Sequence, residues 1–171
     1  MKKKFKILIS ERRIKNKIKQ LAAIINKDFP AKKPLHIIFI SNGAMIFVAD
    51  LARKITIPVI LDSVSAYSYI GKKNSGQLKF TKKIKINIRG KNVLLVDDIL
   101  DTGRTLSKIY NYLIKKKPVI LKTCVLLDKP DSRIIDIKAD YVGFTVPEKF
   151  LIGYGLDYNE LYRNLPFIAI L

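Results

Sequence analysis

Short apolar runs alternate with segments of helical period along most of the chain. Apolar residues three or four positions apart predict a helix, whereas continuous runs of branched apolar residues predict buried strands. A helix is predicted after Ser10, with one apolar face at Ile14, Ile18, Leu21 and Ile25. Buried strands are predicted at Leu35–Ile40, Ile57–Leu61, Asn92–Val96, Val119–Leu127 and Tyr141–Phe144.

The remaining segments predict two further helices, one partly exposed strand and one loop. Ala44–Lys54 and Thr105–Lys116 have the apolar spacing of amphipathic helices. Lys79–Ile88 alternates polar and apolar residues, which predicts a half-exposed strand or hairpin. Tyr67–Gln77 is polar and contains glycine, so we expect a loop there. The apolar residues Phe167–Leu171 fit either a core strand or part of an interface.

This alternation of strands and helices predicts the α/β class, with a mainly parallel twisted sheet flanked by helices. Ligands of such sheets bind beyond the carboxyl ends of the strands. The residues that follow Ile40, Val96, Leu127 and Phe144 are therefore the first places to look for chemistry.

Composition narrows the range of functions. The length of 171 residues suits one domain, which we take to be 1–171. The net charge of +19 could indicate a nucleic-acid partner, but 26 of the 33 basic residues are Lys. Base-reading sites depend more on Arg, so most of these lysines are expected to be solvated and a nucleic-acid partner is not expected. No apolar run is long enough to span a bilayer, and we expect a cytoplasmic protein.

The low numbers of cysteine and histidine residues exclude several kinds of metal site and a disulfide framework. The chain has one cysteine, Cys124, which excludes a disulfide framework and a zinc site built from several thiolates. It has one histidine, His36, which excludes a pair of histidine metal ligands. Both residues lie on predicted apolar strands, and we interpret both as structural.

Three of the chain's 14 carboxylates lie within five residues: Asp97, Asp98 and Asp101. Such crowding of like charge at the end of a predicted strand suggests a cation site. Asp101 to Thr105 then form a tight loop that enters a helix, and Gly103 permits a positive φ there. Amides at a helix N-terminus bind phosphate, and Thr102 and Thr105 add hydroxyl donors. A core strand ending in a charged turn is the plain alternative; a P-loop is excluded because its glycine-lysine motif is absent.

The segment VLLVDDILDTGRTL, from Val93 to Leu106, resembles the motif of type I phosphoribosyltransferases that binds phosphoribosyl pyrophosphate (PRPP). Three further segments resemble hypoxanthine-guanine phosphoribosyltransferases, in particular the short bacterial kind: Gly43–Leu51, Leu126–Pro130 and Val142–Pro166. The resemblance implies the fold of that family, with a small hood built from the N-terminal segment and roughly residues 145–171. It also implies purine salvage: Mg²⁺-dependent transfer of 5-phosphoribosyl from PRPP to N9 of hypoxanthine or guanine, with release of pyrophosphate.

The resemblance also implies roles for residues of the phosphate-binding segment. It places Asp97 and Asp98 at the ribose hydroxyls and near one Mg²⁺. It places Asp101 beside purine N7 as the catalytic group, where a carboxylate also favours an oxocarbenium-like transition state. The 5′-phosphate would be held by Thr102, Gly103, Arg104 and Thr105.

On the purine side, the resemblance assigns Lys129 to the O6 atom, Phe150 to stacking and Leu151 to backbone contacts with the base. It gives Asp157 a second Mg²⁺ and makes Ser68 and Tyr69 part of a lid over the site. A surface lysine, a core aromatic residue and a plain surface loop are the corresponding structural explanations.

The pyrophosphate contacts would come from Ser41, Asn42, Gly43 and Arg163. Here the chain departs from the family, because Asn42 stands where Lys or Arg is frequent, so a direct cationic contact is lost. The family often has a cis peptide in this loop, and we predict one between Ser41 and Asn42. A homodimer or homotetramer is expected from the family. An RNA-binding regulator on the same fold and a transferase that prefers xanthine remain as alternatives.

Overall fold

The computed structural model describes residues 5–68 and 78–171, with nine strands and three α-helices in those ranges. A short 3₁₀ helix, Pro130–Ser132, follows the sixth strand. The helices are α1 Glu11–Asp28, α2 Met45–Ala52 and α3 Arg104–Ile114. The strands are β1 Lys6–Ile9, β2 Leu35–Ile40, β3 Val59–Ser68, β4 Leu78–Lys82, β5 Asn92–Leu100, β6 Ile120–Asp128, β7 Tyr141–Thr145, β8 Leu151–Ile152 and β9 Ile168–Ile170.

Six strands form the main sheet in the order β4-β3-β2-β5-β6-β7. All neighbours in it are parallel except β4, which pairs antiparallel with β3. The predicted α/β class with a mainly parallel sheet is therefore confirmed. A second sheet has the order β1-β9-β8 and is antiparallel, so segments far apart in sequence build it together.

Alternate residues of the central strands pack into two separate hydrophobic cores, one on each face of the sheet, because successive side chains of a strand point to opposite faces. Leu35 and Ile37 of β2 pack with α1 and α2 on one face, whereas Ile38 and Ile40 pack with α3 on the other. Both faces of the sheet are thus covered by helices, as the continuous apolar runs predicted. This packing fixes the carboxyl ends of β2, β5 and β6 at one edge.

The element boundaries differ from the predicted ones in β3, β4 and β5. β3 runs from Val59 to Ser68, whereas the predicted strand ends at Leu61 and a loop is predicted from Tyr67. β5 continues through Asp97 and Asp98 to Leu100, so these carboxylates lie within the strand and not after it. The Lys79–Ile88 strand shortens to Leu78–Lys82. The Asp62 carboxylate accepts hydrogen bonds from the Lys85 and Ile86 amides, at 2.6 and 3.2 Å, and these bonds replace strand pairing beyond Lys82.

Candidate active site

The carboxyl ends of β2 and β5 enclose a cavity of about 260 Å³. Residues from both strand ends, from the start of α3 and from the segment after β8 line it. Nine of the predicted site residues are among them: Ser41, Gly43, Asp97, Asp98, Asp101, Thr102, Gly103, Thr105 and Arg163. The structure therefore brings together residues that are up to 122 positions apart in the sequence (163 − 41).

One buried and one half-buried carboxylate, Asp97 and Asp98, line this cavity. Asp97 is 7% exposed, and its Oδ1 accepts a hydrogen bond from the Asp98 amide at 3.0 Å. Asp98 Oδ1 accepts one from the Ile99 amide at 2.9 Å. Burial, and then the charge of Asp98, raise the pKa of Asp97 well above its ordinary value. Burial also raises the pKa of Asp98, so this pair favours a cationic ligand that offsets its charge.

The loop after β5 enters α3 through a glycine with a positive φ. Gly103 precedes α3 with φ +83°, a left-handed conformation that glycine adopts without steric cost. A Cβ there would lie 2.8 Å from Ile137 Cγ2 and 2.9 Å from the Ile135 carbonyl oxygen. The Thr102 carbonyl accepts hydrogen bonds from the Ile134 and Ile135 amides, both at 3.0 Å. The segment after the 3₁₀ helix thus supports this loop from behind and leaves its cavity side open.

On the opposite wall, the loop after β2 approaches the carboxylates by its backbone. The Ser41–Asn42 peptide bond is cis, as predicted. A Cβ on Gly43 would lie 2.0 Å from Asp98 Oδ2, so only glycine allows this approach. Ser41 is fixed to β3, because its Oγ lies 2.7 Å from Ser65 Oγ and its amide donates to the Val64 carbonyl at 3.0 Å.

Arg163 brings positive charge to the same cavity. Its Nη1 donates to the Gly155 carbonyl at 2.8 Å, and its Nη2 lies 2.8 Å from Asp157 Oδ1 and 3.1 Å from Glu160 Oε2. The Arg163 charge also acts to lower the pKa of Asp98, against the larger effect of burial. Asp157 is therefore held at the cavity through Arg163.

A second cavity, of about 430 Å³, lies next to the first. Lys129 and Phe150 line it, and Asp101 and Thr102 line both cavities. Lys129 is 8% exposed, and its Nζ lies 3.8 Å from Asp101 Oδ2. The Phe150 ring is half exposed and meets the Tyr158 ring edge-on at 5.6 Å. The Phe150 ring and the buried Lys129 ammonium thus lie near the Asp101 carboxylate, where the two cavities meet.

Comparison with known proteins agrees with this arrangement. Residues 7–159 match the family described as "Phosphoribosyl transferase domain". The hypoxanthine-guanine phosphoribosyltransferase of Aquifex aeolicus (strain VF5) is 48% identical over 165 residues, 96% of this chain and 93% of that protein. The crystal structure of the Bacillus anthracis hypoxanthine-guanine phosphoribosyltransferase superposes with a TM-score of 0.92 at 44% identity, covering 98% of this chain and 99% of that one.

A third relative was solved with a product bound. The hypoxanthine phosphoribosyltransferase of Trypanosoma cruzi, in complex with IMP, superposes with a TM-score of 0.91 at 39% identity, covering 97% of this chain and 93% of that one. The chain belongs to the hypoxanthine-guanine phosphoribosyltransferase family. The resemblance seen in the sequence is thereby confirmed, and with it the fold and the pentosyltransferase class of enzyme.

Five further predicted site residues of this phosphoribosyltransferase line neither cavity or lie outside the described part of the chain. Arg104 opens α3 and is exposed, and Asn42 follows the cis bond. Leu151 is buried in β8, where it pairs with Ile170. Ser68 is the last residue of β3. Tyr69 and most of the predicted loop lie outside the described residues, so the lid stays a prediction.

The sequence reasoning missed three polar residues of the second cavity: Ser132, Glu148 and Lys149. Ser132 closes the 3₁₀ helix, and Glu148 precedes Phe150 by two residues. Glu148 and Lys149 lie in the segment Val142–Pro166 that resembles the family, and Ser132 lies just after the segment Leu126–Pro130. None of the three has a local pattern that distinguishes it from a surface residue. Their distance in sequence from Asp101 also gives no sign that they share a cavity with it.

The donor set of this phosphoribosyltransferase fits Mg²⁺. Asp97 and Asp98 offer hard carboxylate oxygens whose charged forms are disfavoured by burial, and a divalent cation would relieve that cost. Among residues 5–68 and 78–171, His, Cys, Asp and Glu side chains do not gather in a group of three or more that could hold a metal. Mg²⁺ is commonly held by only one or two carboxylates, with substrate oxygens and water completing its shell. Over the same residues, the structure has no helix long and apolar enough to cross a membrane.

Proposed function

We propose that this enzyme transfers 5-phosphoribosyl from PRPP to N9 of hypoxanthine or guanine, giving IMP or GMP and pyrophosphate, in purine salvage. The observation that carries the proposal is the junction at Asp101 and Thr102. One cavity there has carboxylates and a phosphate-type loop, and the adjoining cavity has a cation and an exposed aromatic ring. A phosphorylated sugar and a planar base that offers an acceptor would meet at this junction.

The loop from Thr102 to Thr105 holds the 5′-phosphate, because amides at the start of α3 and two threonine hydroxyls converge there. Asp97 and Asp98, which line the first cavity, bind the ribose hydroxyls. This binding fixes the sugar so that its C1′ atom lies toward Asp101. Orienting the two reactants in this way lowers the entropic part of the barrier.

Asp101 takes the proton from purine N7 as the bond from N9 to C1′ forms and the bond from C1′ to pyrophosphate breaks. Its negative charge also stabilises the positive charge that develops on the ribose ring. Lys129 donates a hydrogen bond to the O6 atom of the base, and Phe150 stacks on it. Adenine carries an amino donor at this position and is therefore rejected. Leu151 supplies backbone contacts at the edge of the base.

The pyrophosphate group lies between the Ser41–Gly43 loop and Arg163. The Asn42 side chain adds no charge, so the backbone of the loop and the Arg163 guanidinium provide the contacts. Asp97 and Asp98 would hold one Mg²⁺, and Asp157 would take part in holding a second one. When bound, such ions neutralise the charge that builds up on the departing pyrophosphate.

The remaining parts of the fold complete the enzyme. The single domain spans 1–171, and the sheet of β1, β8 and β9 together with roughly residues 145–171 forms a hood over the base. Ser68 and Tyr69 belong to a lid that excludes water during transfer. The enzyme acts in the cytoplasm as a homodimer or homotetramer, which agrees with the exposure of Met45, Ile60 and Leu61.

An assay with PRPP, Mg²⁺ and one base at a time tests this proposal. The bases are hypoxanthine, guanine, xanthine, adenine and uracil, and both nucleotide and pyrophosphate are measured. We expect turnover with hypoxanthine or guanine and none with adenine or uracil. Turnover with xanthine alone would move the assignment to a xanthine transferase.

Absence of turnover with every base, together with binding of PRPP, would refute the enzyme assignment. In that case an RNA-binding regulator, suggested by the +19 charge, becomes the better hypothesis. RNA affinity that falls steeply as salt rises would support it, since such binding depends on released counterions.

A further inference from the structure

The turn that follows β8 contacts α2 and the loop before it through two adjacent residues, Tyr154 and Gly155. A Cβ on Gly155 would lie 2.0 Å from the Gly43 carbonyl oxygen, so the two backbones touch directly. One residue earlier, the Tyr154 hydroxyl donates a hydrogen bond to Asp50 Oδ2, in the second half of α2. The same short turn is therefore fixed to the pyrophosphate loop and to the helix that this loop enters.

The turn is also fixed to Arg163, on its other side. The Gly155 amide donates to the Arg163 carbonyl at 2.9 Å, and Arg163 Nη1 donates to the Gly155 carbonyl at 2.8 Å. Gly43 in turn lies against the Asp98 carboxylate. Gly155 thus stands between the guanidinium on one wall of the first cavity and the loop on the other.

The backbone of the turn is shaped to aim Tyr154 at α2. Gly153, Tyr154 and Gly155 have φ values of +94°, +51° and +103°. A tyrosine in the left-handed region is strained, and such a residue persists only when its surroundings hold it there. Tyr154 is 5% exposed, and burial and the Asp50 contact raise the pKa of its hydroxyl. The hydroxyl is therefore favoured in its protonated, donating form.

We propose that Tyr154 and Asp50 are positioning residues for the pyrophosphate side of the site: their hydrogen bond sets the separation between the Ser41–Gly43 loop and Arg163. This inference rests on the proposed function, because that function assigns pyrophosphate to this gap. Neither side chain touches substrate, so their effect is on the binding of PRPP and not on the base.

The variant Tyr154→Phe removes one hydroxyl and keeps the buried ring. Asp50 stays paired, because Arg53 contacts its other carboxylate oxygen. Loss of the bond frees the loop, and we expect the Kd for PRPP in the presence of Mg²⁺ to rise about tenfold. The Kd for IMP, which occupies the ribose and base regions, should stay within about twofold. Both constants are measured by titration calorimetry.

The chain supplies a matched control in Tyr141. This tyrosine is also 5% exposed, and its hydroxyl donates to Asp28 Oδ2 at 2.8 Å, at the end of α1. Tyr141→Phe removes the same kind of bond in the same degree of burial, but outside both cavities. It should lower the melting temperature in the same way as Tyr154→Phe and leave the Kd for PRPP unchanged.

Asp50→Ala provides a second route to the same bond, should Tyr154→Phe not fold. If Tyr154 acts through the Asp50 carboxylate, the double variant that combines Tyr154→Phe with Asp50→Ala binds PRPP no more weakly than Asp50→Ala alone. Equal weakening of PRPP and IMP binding, or the same loss in Tyr141→Phe, would overturn the inference. Turnover of the unchanged enzyme is measured in parallel: its absence counts against the proposed function, whereas normal PRPP binding by an active Tyr154→Phe variant counts against the positioning role alone.

Discussion

Replacement of Asp101 by asparagine tests the proposed chemistry most directly. The Asp101 side chain is 46% exposed and stands at the junction of the two cavities. Asparagine has nearly the same shape, so the change removes charge and basicity while the cavity walls stay in place. Because the carboxylate is half exposed and its ion pair with Lys129 spans 3.8 Å, its loss should change the free energy of unfolding by no more than about 0.5 kcal/mol.

The expected catalytic loss follows from the proton-accepting role given to this carboxylate. Proton transfer by a positioned side chain contributes about 10²–10⁴-fold to a rate. At about 1.36 kcal/mol for each factor of ten, this corresponds to about 2.7–5.4 kcal/mol of transition-state stabilisation. Asparagine can still hydrogen-bond to N7 but cannot accept its proton. The turnover number should therefore fall by a factor within that range.

The Kd for PRPP should change little in Asp101→Asn, because Asp97, Asp98 and the phosphate loop are intact. The assay combines turnover with hypoxanthine, PRPP binding and thermal unfolding of the same preparation. Asp131→Asn is the control, since this exposed carboxylate lies in the neighbouring 3₁₀ helix and lines neither cavity. Unchanged turnover in Asp101→Asn, or an equal loss in both variants, would refute the assignment of Asp101 as the proton acceptor.

Three further predictions concern separate parts of the molecule. Lys129→Met should raise the KM for hypoxanthine about tenfold or more, because a charged hydrogen bond is lost, and it should reduce discrimination against adenine. A variant that stays as selective in the base assay would exclude Lys129 from recognition of the O6 atom. Because burial raises the pKa of Asp97 in the folded state, its charged form destabilises the fold above that pKa, and the penalty disappears as pH falls. Asp97→Asn should therefore stabilise the ligand-free protein at pH 7 by about 0.5–2 kcal/mol and lose this advantage on acidification, while PRPP binding is abolished. Denaturant unfolding at several pH values measures the change in stability, and a variant that is destabilised at pH 7 would contradict the prediction. Cys124 is fully buried and burial raises its pKa, so a thiol reagent should label it only at the rate of unfolding; fast labelling of the folded protein would contradict the described packing.

The elements with one strong period were predictable from the sequence, and those fixed by long-range pairing were not. Leu35–Ile40 is the same strand in both descriptions, because five of its six residues are apolar and need burial on both faces. β3 runs on to Ser68, through residues that were predicted to open a polar loop, since β4 pairs with it there. β1 had no distinct pattern, and it forms a strand because β9 offers it a partner.

The site shows the same division between local and distant signals. Asp97 to Thr105 could be found because one strand, its carboxylates and the following turn are contiguous. Lys129 could not be separated from 25 other lysines by position alone, and only the resemblance of Leu126–Pro130 did so. The contact of Tyr154 with Asp50 joins residues 104 positions apart, and the local sequence around neither residue predicts this contact.

The middle strand of the second sheet, β9, follows both of its neighbours in the sequence. During synthesis, the whole six-stranded sheet leaves the ribosome before Ile168–Ile170, so the phosphate loop of a nascent chain can assemble first. Strands β1 and β8 have no shared partner until β9 emerges between them. The order of translation thus separates the two sheets in time, and a nascent chain that stalls before Ile168 lacks the complete second sheet that we propose to cover the base.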